Sequence, residues 1–355
     1  MWKYPKYLLL FLGAGLNFLV VVGMMACAFS QWVKPQDHPD ISYFGLAFPF
    51  FLLASVLFMV FWLLVKRRYA MISLVGCVCC AASIRTYFPV NMGGSVPEGA
   101  IKVLSYNVCN FVNDKGKPLA EQAILNYIVQ ANADIVCLQE TKGITHDDVD
   151  SLLSLFYPYR STIDYRQVKG TLLSKFPILR IDTIGYISKS NYSVAYDIRV
   201  GSDTVLVVNN HFESYRLQAA DREEYKEMIQ NPEESLNREH LDGLTTKLAT
   251  ATAIRGAQAD SVDQYIRQSG RSRVIACGDF NDASISYVHY RMTRMLNDAY
   301  TRSGNGPGLS YNRSGMYFRI DNILCSPNIR PYGAKVDGSI DASDHYPIYC
   351  WLQLE

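Results

Sequence analysis

Six short polar signatures, each attached to the end of an apolar, strand-like run, carry the residues that could do chemistry. They read Ser105-Tyr106-Asn107, Leu138-Gln139-Glu140-Thr141, Asn209-Asn210-His211-Phe212, Gly278-Asp279-Phe280-Asn281, Arg319-Ile320-Asp321-Asn322 and Ser343-Asp344-His345. Between them they supply four carboxylates, two histidines and the amides of Asn107 and Asn281. This combination suits a hard divalent cation held by oxygen atoms, together with acid–base chemistry at a phosphate ester.

The signature that contains Asp279 and Asn281 follows the apolar run Val274 to Cys277, which is typical of a buried strand. Gly278 permits a tight exit from that strand. Asp279 and Asn281 then point the same way, because side chains alternate with a period of two. Asp279 could polarise a water molecule while Asn281 donates to a phosphate oxygen. The alternative is an ordinary aspartate that caps a turn.

Asp321 lies in the otherwise apolar strand Ile320 to Cys325, where an unpaired carboxylate would be costly. We expect His345 to be its partner, because a neighbouring carboxylate fixes the histidine tautomer and raises its pKa. The alternative is a salt bridge with Arg319. Asp344 and His345 are consecutive, so they point to opposite sides and are better suited to separate roles. A surface turn is the alternative for this segment.

Glu140 follows the strand-like run 134–139, and a single carboxylate at a strand end is an ordinary Mg²⁺ ligand. Asn107 ends the first predicted strand and could orient that carboxylate or touch the phosphate. His211 ends the β-branched run 204–210 and could protonate a leaving oxygen. For His211 and Asn107 a purely structural role is the alternative.

The elements that must position these residues are strands interspersed with helices. Strands are predicted at 100–106, 135–138, 171–174, 178–184, 193–200, 204–209, 274–277, 320–325 and 348–354, and helices at 119–131, 149–156, 217–241 (interrupted at Pro232) and 244–268. Polar residues at strand ends favour two packed sheets flanked by helices, because a rigid sheet fixes the reactive groups while loops leave room for substrate. A charged helical insertion at about 215–243 begins beside the predicted site. It could be a lid, a membrane-facing element or a solvated helix pair.

Charge and cysteine usage are uneven along the chain. The first 96 residues hold seven of the 34 basic residues and two of the 33 acids, which leaves 27 basic and 31 acidic residues and a formal charge near −4 for the remainder. That balance weakly disfavours tight nonspecific binding of nucleic acid. The nine cysteines show no metal-binding spacing, and we expect them to be small buried apolar residues.

Two uncharged runs near the N-terminus, Leu8 to Phe29 and Tyr43 to Val65, are long enough to cross a bilayer as helices, which takes roughly 20 residues. A third, shorter apolar stretch runs from Ala70 to Ile84. A cleaved signal peptide and soluble core helices are the alternatives, but a second span follows soon and neither run shows a polar face. We therefore predict a transmembrane region at 1–90, a linker at 91–99 and a catalytic domain at 100–355.

Basic residues favour the cytoplasmic side of a membrane. Lys3 and Lys6 precede the first run, and Lys66, Arg67 and Arg68 follow the second. The N-terminus and the 66–69 loop are therefore predicted to be inside. If the third stretch spans, the catalytic domain lies outside the cytoplasm; if it does not, the domain faces the cytoplasm.

Taken in order, Asn, Glu, His, Asp-x-Asn, Asp and Asp-His resemble the motifs of the endonuclease/exonuclease/phosphatase superfamily, over about residues 100–355. The stretch Gly170-Thr171-Leu172-Leu173-Ser174-Lys175-Phe176-Pro177-Ile178 also resembles one common in that superfamily. The resemblance implies a four-layer α/β sandwich of two packed β-sheets flanked by helices, like that of DNase I. His211 would match the second histidine of the nuclease and sphingomyelinase branches, which the apurinic endonucleases lack.

By that resemblance, each candidate residue receives a role. Glu140 would hold the divalent metal, Mg²⁺ or Mn²⁺, with Asn107 beside it and Asp344 adding to the metal environment. Asp279 would orient or deprotonate the attacking water, and Asn281 would hold the phosphoryl group. His345 would stabilise the charged transition state, with Asp321 behind it.

These observations predict a membrane-anchored, metal-dependent hydrolase that cleaves phosphodiesters by in-line attack of water. A nuclease acting on DNA or RNA is the first expectation. A phospholipid or sphingolipid phosphodiesterase and an inositol-phosphate phosphatase are the alternatives, and the N-terminal helices should contact the membrane. A non-catalytic scaffold on the same fold should have lost at least one of Glu140, Asp279, Asp321 and His345, and all four are present. No obligate protein partner is evident.

Overall fold

Two six-stranded sheets and their flanking helices form the C-terminal part of the chain. In the computed structural model, residues 3–112, 119–142, 147–165, 168–188, 191–215, 238–313 and 316–355 are described. The helices are α1 Lys3–Phe29, α2 Pro39–Ser42, α3 Phe48–Val65, α4 Ala70–Cys79, α5 Ala81–Tyr87, α6 Leu119–Ala131, α7 Asp147–Phe156, α8 Arg238–Gln268, α9 Tyr287–Thr293 and α10 Ala299–Ser303. The strands are β1 Ile101–Asn107, β2 Ile135–Gln139, β3 Tyr159–Tyr165, β4 Val168–Ser174, β5 Ile178–Thr183, β6 Tyr192–Val200, β7 Asp203–His211, β8 Val274–Asp279, β9 Asn297–Asp298, β10 Tyr311–Arg313, β11 Met316–Phe318, β12 Asp321–Cys325, β13 Ile329–Val336 and β14 Ile348–Leu354.

The strand order is β13-β14-β1-β2-β4-β3 in the first sheet and β5-β6-β7-β8-β12-β9 in the second. A buried core that includes Val103, Cys137, Val207 and Cys277 lies between the two sheets. A second core packs α6 and α7 on the outer face of the first sheet, and a third packs α8 and α9 on the outer face of the second. This is the predicted four-layer α/β sandwich, and the fold class is confirmed.

Strand register brings the polar signatures to one edge of the sandwich. β1 and β2 are parallel, as are β7 and β8, so each pair ends at the same edge. Asp279 pairs with His211 on one side and with Asp321 on the other, because β12 runs antiparallel to β8. Residues far apart in the chain therefore become neighbours through backbone hydrogen bonds alone.

Most predicted elements are present with shifted ends, but several were missed. β3, β13, the β10–β11 hairpin, α9 and α10 were not anticipated, because short or partly polar segments carry little periodic signal. Cys109 lies in a 3₁₀ turn that follows β1. All nine cysteines lie in the described ranges, where none forms a disulfide, and six of them are buried. Of the predicted 215–243 insertion, residues 216–237 lie outside the described residues.

The first two apolar runs form helices that are long and apolar enough to cross a membrane, Tyr7–Trp32 and Pro39–Val65. The third stretch is one broken element: Arg67–Cys79 and Ala81–Tyr87 are bent by 70° at the break. Membrane association is therefore consistent with the structure of this segment.

Contacts show that α1 and the α4–α5 pair run in the same direction. Ser73 Oγ donates to Asn17 Oδ1 at 2.9 Å, and further along Gln31 Nε2 donates to Ser83 Oγ at 3.1 Å. Helix α3 runs the opposite way, since a Cβ on Gly13 would lie 3.2 Å from the ring of Trp62 near the end of α3, whereas a Cβ on Gly23 would collide with the ring of Phe51 near its start. The three elements traverse the bundle in alternating directions.

The N-terminal helices are docked onto the α/β sandwich. Gly45 lies against the carbonyl of Ile285, so closely that a Cβ would collide with it, and a Cβ on Gly256 of α8 would lie 2.6 Å from Pro35. Arg319 Nη2 donates to the Thr86 carbonyl at 2.9 Å. These contacts involve the segment between α1 and α3 and the end of α5, so both lie on the side of the α/β sandwich.

We expect Gly45→Val to weaken this docking, because the added carbons meet the Ile285 backbone, and overpacking of this kind costs about 1–3 kcal/mol. The measurement is the thermal unfolding midpoint of the full chain in detergent. Gly15→Val is the matched control, since nothing lies within 4 Å of a Cβ at Gly15. Equal midpoints for the two variants would contradict the docked arrangement.

Candidate active site

The backbone at the strand ends adopts conformations that are rare for residues with side chains. Glu140 has φ 54° and Asn281 has φ 50°, both in the left-handed region, and Asn110 nearby has φ 55°. Gly278 has φ 130°, and a Cβ there would collide with the carbonyl of Asn210. Such local strain persists only where the surrounding structure holds it, and it clusters at functional sites.

Asn107 connects carboxylates that belong to the two different sheets. Its Nδ2 lies 3.2 Å from Glu140 Oε1 and 3.1 Å from Asp279 Oδ2. Its Oδ1 accepts a hydrogen bond from the Cys109 backbone N–H at 3.1 Å. The amide group thus donates to both carboxylates and sets the distance between them.

Glu140 and Asp279 are costly to ionise where they stand. Burial raises the pKa of Glu140, and the hydrogen bond from Asn107 lowers it in part. Burial also raises the pKa of Asp279, to about 6, while His345 and His211 oppose that change. A cation would favour the charged forms of both carboxylates.

His345 and Asp321 form the pair that the sequence predicted. His345 Nδ1 donates to Asp321 Oδ2 at 2.7 Å, and its Nε2 lies 3.7 Å from Asp279 Oδ2. Burial alone would lower the pKa of His345, but the Asp321 and Asp279 carboxylates together raise it well above its ordinary value. Arg319, the alternative partner, pairs with Asp298 at 2.9 Å instead.

His211 is the second histidine of the cluster and has the opposite charge preference. Its Nε2 lies 3.4 Å from Glu140 Oε1 and 3.9 Å from Asp279 Oδ2. Burial lowers the pKa of His211, and Asp279 only partly offsets that effect. The two histidines therefore differ: near neutral pH His345 favours the imidazolium and His211 favours the neutral ring.

Asn281 lies at the same carboxylate. Its backbone N–H donates to Asp279 Oδ1 at 2.8 Å, and its Nδ2 lies 2.9 Å from the Phe212 carbonyl and 3.1 Å from Asp279 Oδ2. Both amide hydrogens thus have acceptors within the protein. An incoming phosphate oxygen would have to replace one of these contacts.

Ser343 and Asp344 complete the edge. Ser343 Oγ donates to the Asn107 carbonyl at 2.8 Å, which ties the C-terminal signature to β1. The negative charge of Asp344 contributes to the raised pKa of Glu140, as expected for neighbouring carboxylates. All eight predicted site residues therefore lie in one cluster, and their catalytic roles remain predictions.

The donor set fits a hard divalent cation. Asp279, Asp321 and His345 offer ligand atoms that all lie within 4.8 Å of one another. His345 Nδ1 is engaged with Asp321, however, whereas Glu140 is partly open, with 29% of its side chain exposed. Mg²⁺ prefers oxygen ligands and retains water, so we favour Glu140, with Asp344 nearby, as the metal position. Asn107 donates its amide N–H to Glu140. For Asn107 to be a metal ligand, its side-chain amide would have to rotate so that the oxygen faces the metal.

Three residues near the site were missed by sequence reasoning. Asn110 Nδ2 lies 3.4 Å from Glu140 Oε2, and Ser310 Oγ accepts from the backbone N–H groups of Ile320 and Asp321 at 3.1 and 3.0 Å. The Tyr311 ring packs edge-on to His345 at 5.1 Å. Each depends on a turn or hairpin rather than on a strand end, so no periodic signal marks it.

Comparison with known proteins agrees with this geometry. The family model described as the Endonuclease/Exonuclease/phosphatase family matches residues 104–345, so the chain belongs to that family. A second model, described as a domain of unknown function, matches residues 6–87. No curated protein matches the chain.

Solved structures share the fold at low sequence identity. D. rerio TDP2 complexed with single-strand DNA product has a TM-score of 0.52 and 18% identity, covering 72% of this chain and 100% of that one. The human Nocturnin catalytic domain has a TM-score of 0.53 and 14% identity, covering 74% and 96%. A Bacteroides thetaiotaomicron mannosyl-6-phosphatase has a TM-score of 0.51 and 16% identity, covering 72% and 100%. Family and fold together support a phosphoesterase.

Asp321→Asn should shift the basic limb of the pH–activity profile to lower pH. The Asp321 carboxylate raises the pKa of His345, so its removal lets the imidazolium lose its proton at lower pH. The measurement is kcat/KM against pH on a phosphodiester. Asp203→Asn, at a partly exposed ion pair with Arg273, is the control and should leave the profile in place. An unmoved basic limb in Asp321→Asn would contradict the assigned pairing.

Proposed function

We propose that this chain is a Mg²⁺- or Mn²⁺-dependent hydrolase of phosphodiesters. The observation that carries the proposal is the convergence of Glu140, Asp279 and His345. The Asn107 amide lies 3.2 Å from Glu140 and 3.1 Å from Asp279, and His345 Nε2 lies 3.7 Å from Asp279 Oδ2. The two carboxylates favour a bound cation, and the histidine favours its protonated form. All three groups lie close together. That is the charge distribution a phosphoryl group requires as it reacts.

The roles of the protein groups follow from their protonation states. Asp279 accepts a proton from the attacking water, and Asn281 gives up one internal contact to hold a phosphoryl oxygen. His345 remains an imidazolium, held by Asp321, and stabilises negative charge. His211, whose Nε2 lies 3.9 Å from Asp279 Oδ2, stays neutral and donates a hydrogen bond from its ring N–H to the leaving oxygen. When bound at Glu140, the metal supplies Lewis-acid neutralisation of phosphoryl charge.

A nuclease is the first candidate, because the motif set resembles that of the superfamily's nucleases and His211 would match the second histidine that the nuclease and sphingomyelinase branches share. In support, a neighbour in fold, D. rerio TDP2, is described with a single-strand DNA product. A lipid headgroup phosphodiester is the second candidate, and a specific observation favours it. Loop 281–286 leads out of the site. Within it, the backbone carbonyl of Ile285 packs against Gly45 of the N-terminal segment.

Asp279→Asn and His345→Ala should each lower kcat by about 10²–10⁴-fold, the usual contribution of a positioned acid or base. Both variants should keep the wild-type unfolding midpoint to within a few degrees if the loss is catalytic. The assay is run with Mg²⁺ on plasmid DNA and, in parallel, on phospholipid and sphingomyelin liposomes. Parental rates for either variant on the cleaved substrate would refute the site, and the cleaved substrate decides between the two classes.

We also propose that α1, α3 and the α4–α5 pair span the membrane, with the catalytic domain outside the cytoplasm. The parallel course of α1 and α4–α5 supports it, because both elements end on the side of the catalytic domain. The basic residues 66–68 lie at the opposite end, where Lys and Arg favour the cytoplasm.

This topology predicts protease sensitivity from one side only. In bacterial spheroplasts or sealed right-side-out vesicles, added protease should cleave within residues 100–355, while a tag placed before Lys3 should stay intact until detergent is added. Immunoblotting of both ends is the measurement. A protected C-terminal domain with an accessible N-terminal tag would reverse the orientation.

A further inference from the structure

A groove of about 420 Å³ lies at the junction of α4 and α5, on the surface of the N-terminal helices. It is lined by six apolar or weakly polar side chains and one cation: Cys77, Val78, Ala81, Ile84, Phe88, Val90 and Arg85. The 70° bend between the two helices opens it. The groove is open along one face, since Val78, Phe88 and Val90 in its lining are all exposed.

The contacts of α1 place this groove at one end of the helical bundle. Ser83 is level with Gln31, to which it is hydrogen bonded at 3.1 Å. Gln31 lies beside Trp32, which is 55% exposed and stacks on Phe29 with ring centroids 4.9 Å apart. Aromatic residues concentrate at the membrane–water interface. Arg85, two residues after Ser83, therefore lies at headgroup depth, with the apolar lining around Val78 and Ala81 below it.

The hydrogen-bond acceptors that contact the Arg85 guanidinium are both uncharged. Its Nη1 donates to the Val90 carbonyl and its Nη2 to Asn91 Oδ1, both at 2.7 Å. In the described ranges no carboxylate forms an ion pair with Arg85, and the only two acids before residue 97 are Asp37 and Asp40 in another loop. The two contacts hold the guanidinium in place without neutralising it. A fixed, exposed guanidinium is suited to a phosphate group.

We propose that this groove is a binding site for one glycerophospholipid, with its phosphate on Arg85 and an acyl chain along Val78, Ala81 and Phe88. Free phosphate would leave the apolar lining unused, and an uncharged lipid would leave the guanidinium unused. Arginine binds phosphate oxygens through charge-assisted hydrogen bonds, and Arg85 keeps N–H donors beyond the two that contact Val90 and Asn91. The inference rests on the proposed membrane insertion and is independent of the catalytic proposal.

The test uses the full chain, purified in detergent and delipidated, and titrated with palmitoyl-oleoyl phosphatidylglycerol while bound lipid is counted by native mass spectrometry. Arg85→Gln should bind the first lipid at least about tenfold more weakly, as for loss of a charge-assisted hydrogen bond. Ala81→Trp should fill the groove and remove that lipid. Arg68→Gln is the control, since Arg68 packs on Tyr69 at the opposite end of the bundle.

Palmitoyl-oleoyl glycerol, which has the same chains and no phosphate, completes the design and keeps it informative if Ala81→Trp does not fold. It should bind wild type and Arg85→Gln equally weakly. Equal phosphatidylglycerol affinity in wild type and Arg85→Gln would overturn the proposal, as would equal losses in Arg85→Gln and Arg68→Gln. Binding of the phosphate-free lipid as tightly as phosphatidylglycerol would also overturn it. These outcomes concern lipid binding and do not bear on the hydrolysis of a soluble phosphodiester. Failure of the lipid-site proposal is therefore distinguishable from failure of the catalytic proposal.

Discussion

The meeting of the two sheets at Asn107 is the constraint on which the rest of the site depends. One amide group from the first sheet donates both to Glu140, at the end of its own sheet, and to Asp279, at the end of the other. Below it, Gln139 Nε2 donates to Asn209 Oδ1 at 2.7 Å, again from one sheet to the other. Because buried polar groups are costly when unpaired, these crossings define how the sheets align. A shift between the sheets would separate the carboxylates and leave both amides unsatisfied.

The ionisable groups of the site contact one another, and His345 is the one whose charged form its neighbours favour. Asp321 contacts Nδ1 of His345, and Nε2 of both His345 and His211 lies near the same oxygen of Asp279, Oδ2. Ser310 holds the backbone N–H groups of Ile320 and Asp321, and Ser343 ties the C-terminal loop to β1. The left-handed backbone at Glu140 and Asn281 is maintained by this network, which places rigid polar groups where a loop alone would not hold them.

The N-terminal helices also contact residues that lie close in the chain to the site residues. Arg319 lies two residues before Asp321. One of its nitrogens donates to the Thr86 carbonyl, and the other pairs with Asp298. Ile285, four residues after Asn281, packs in the cluster of Met24, Phe48 and Cys80. Two of the strands that carry reactive groups are therefore braced, through the loops beside them, by the helical segment.

The sequence by itself determined the apolar helices, the main strands and the polar residues at their ends, because each of these is a local pattern of burial and spacing. His345 as the partner of Asp321 also followed from the sequence, since a buried carboxylate requires a counterpart. Only the tertiary structure decided the contacts of Asn110, Ser310 and Tyr311, the broken course of the third helix and the docking of Gly45 against Ile285. Those features arise from turns, a helix break and packing between distant segments, where the contacts of one residue depend on chain far away in the sequence and no local periodicity records them.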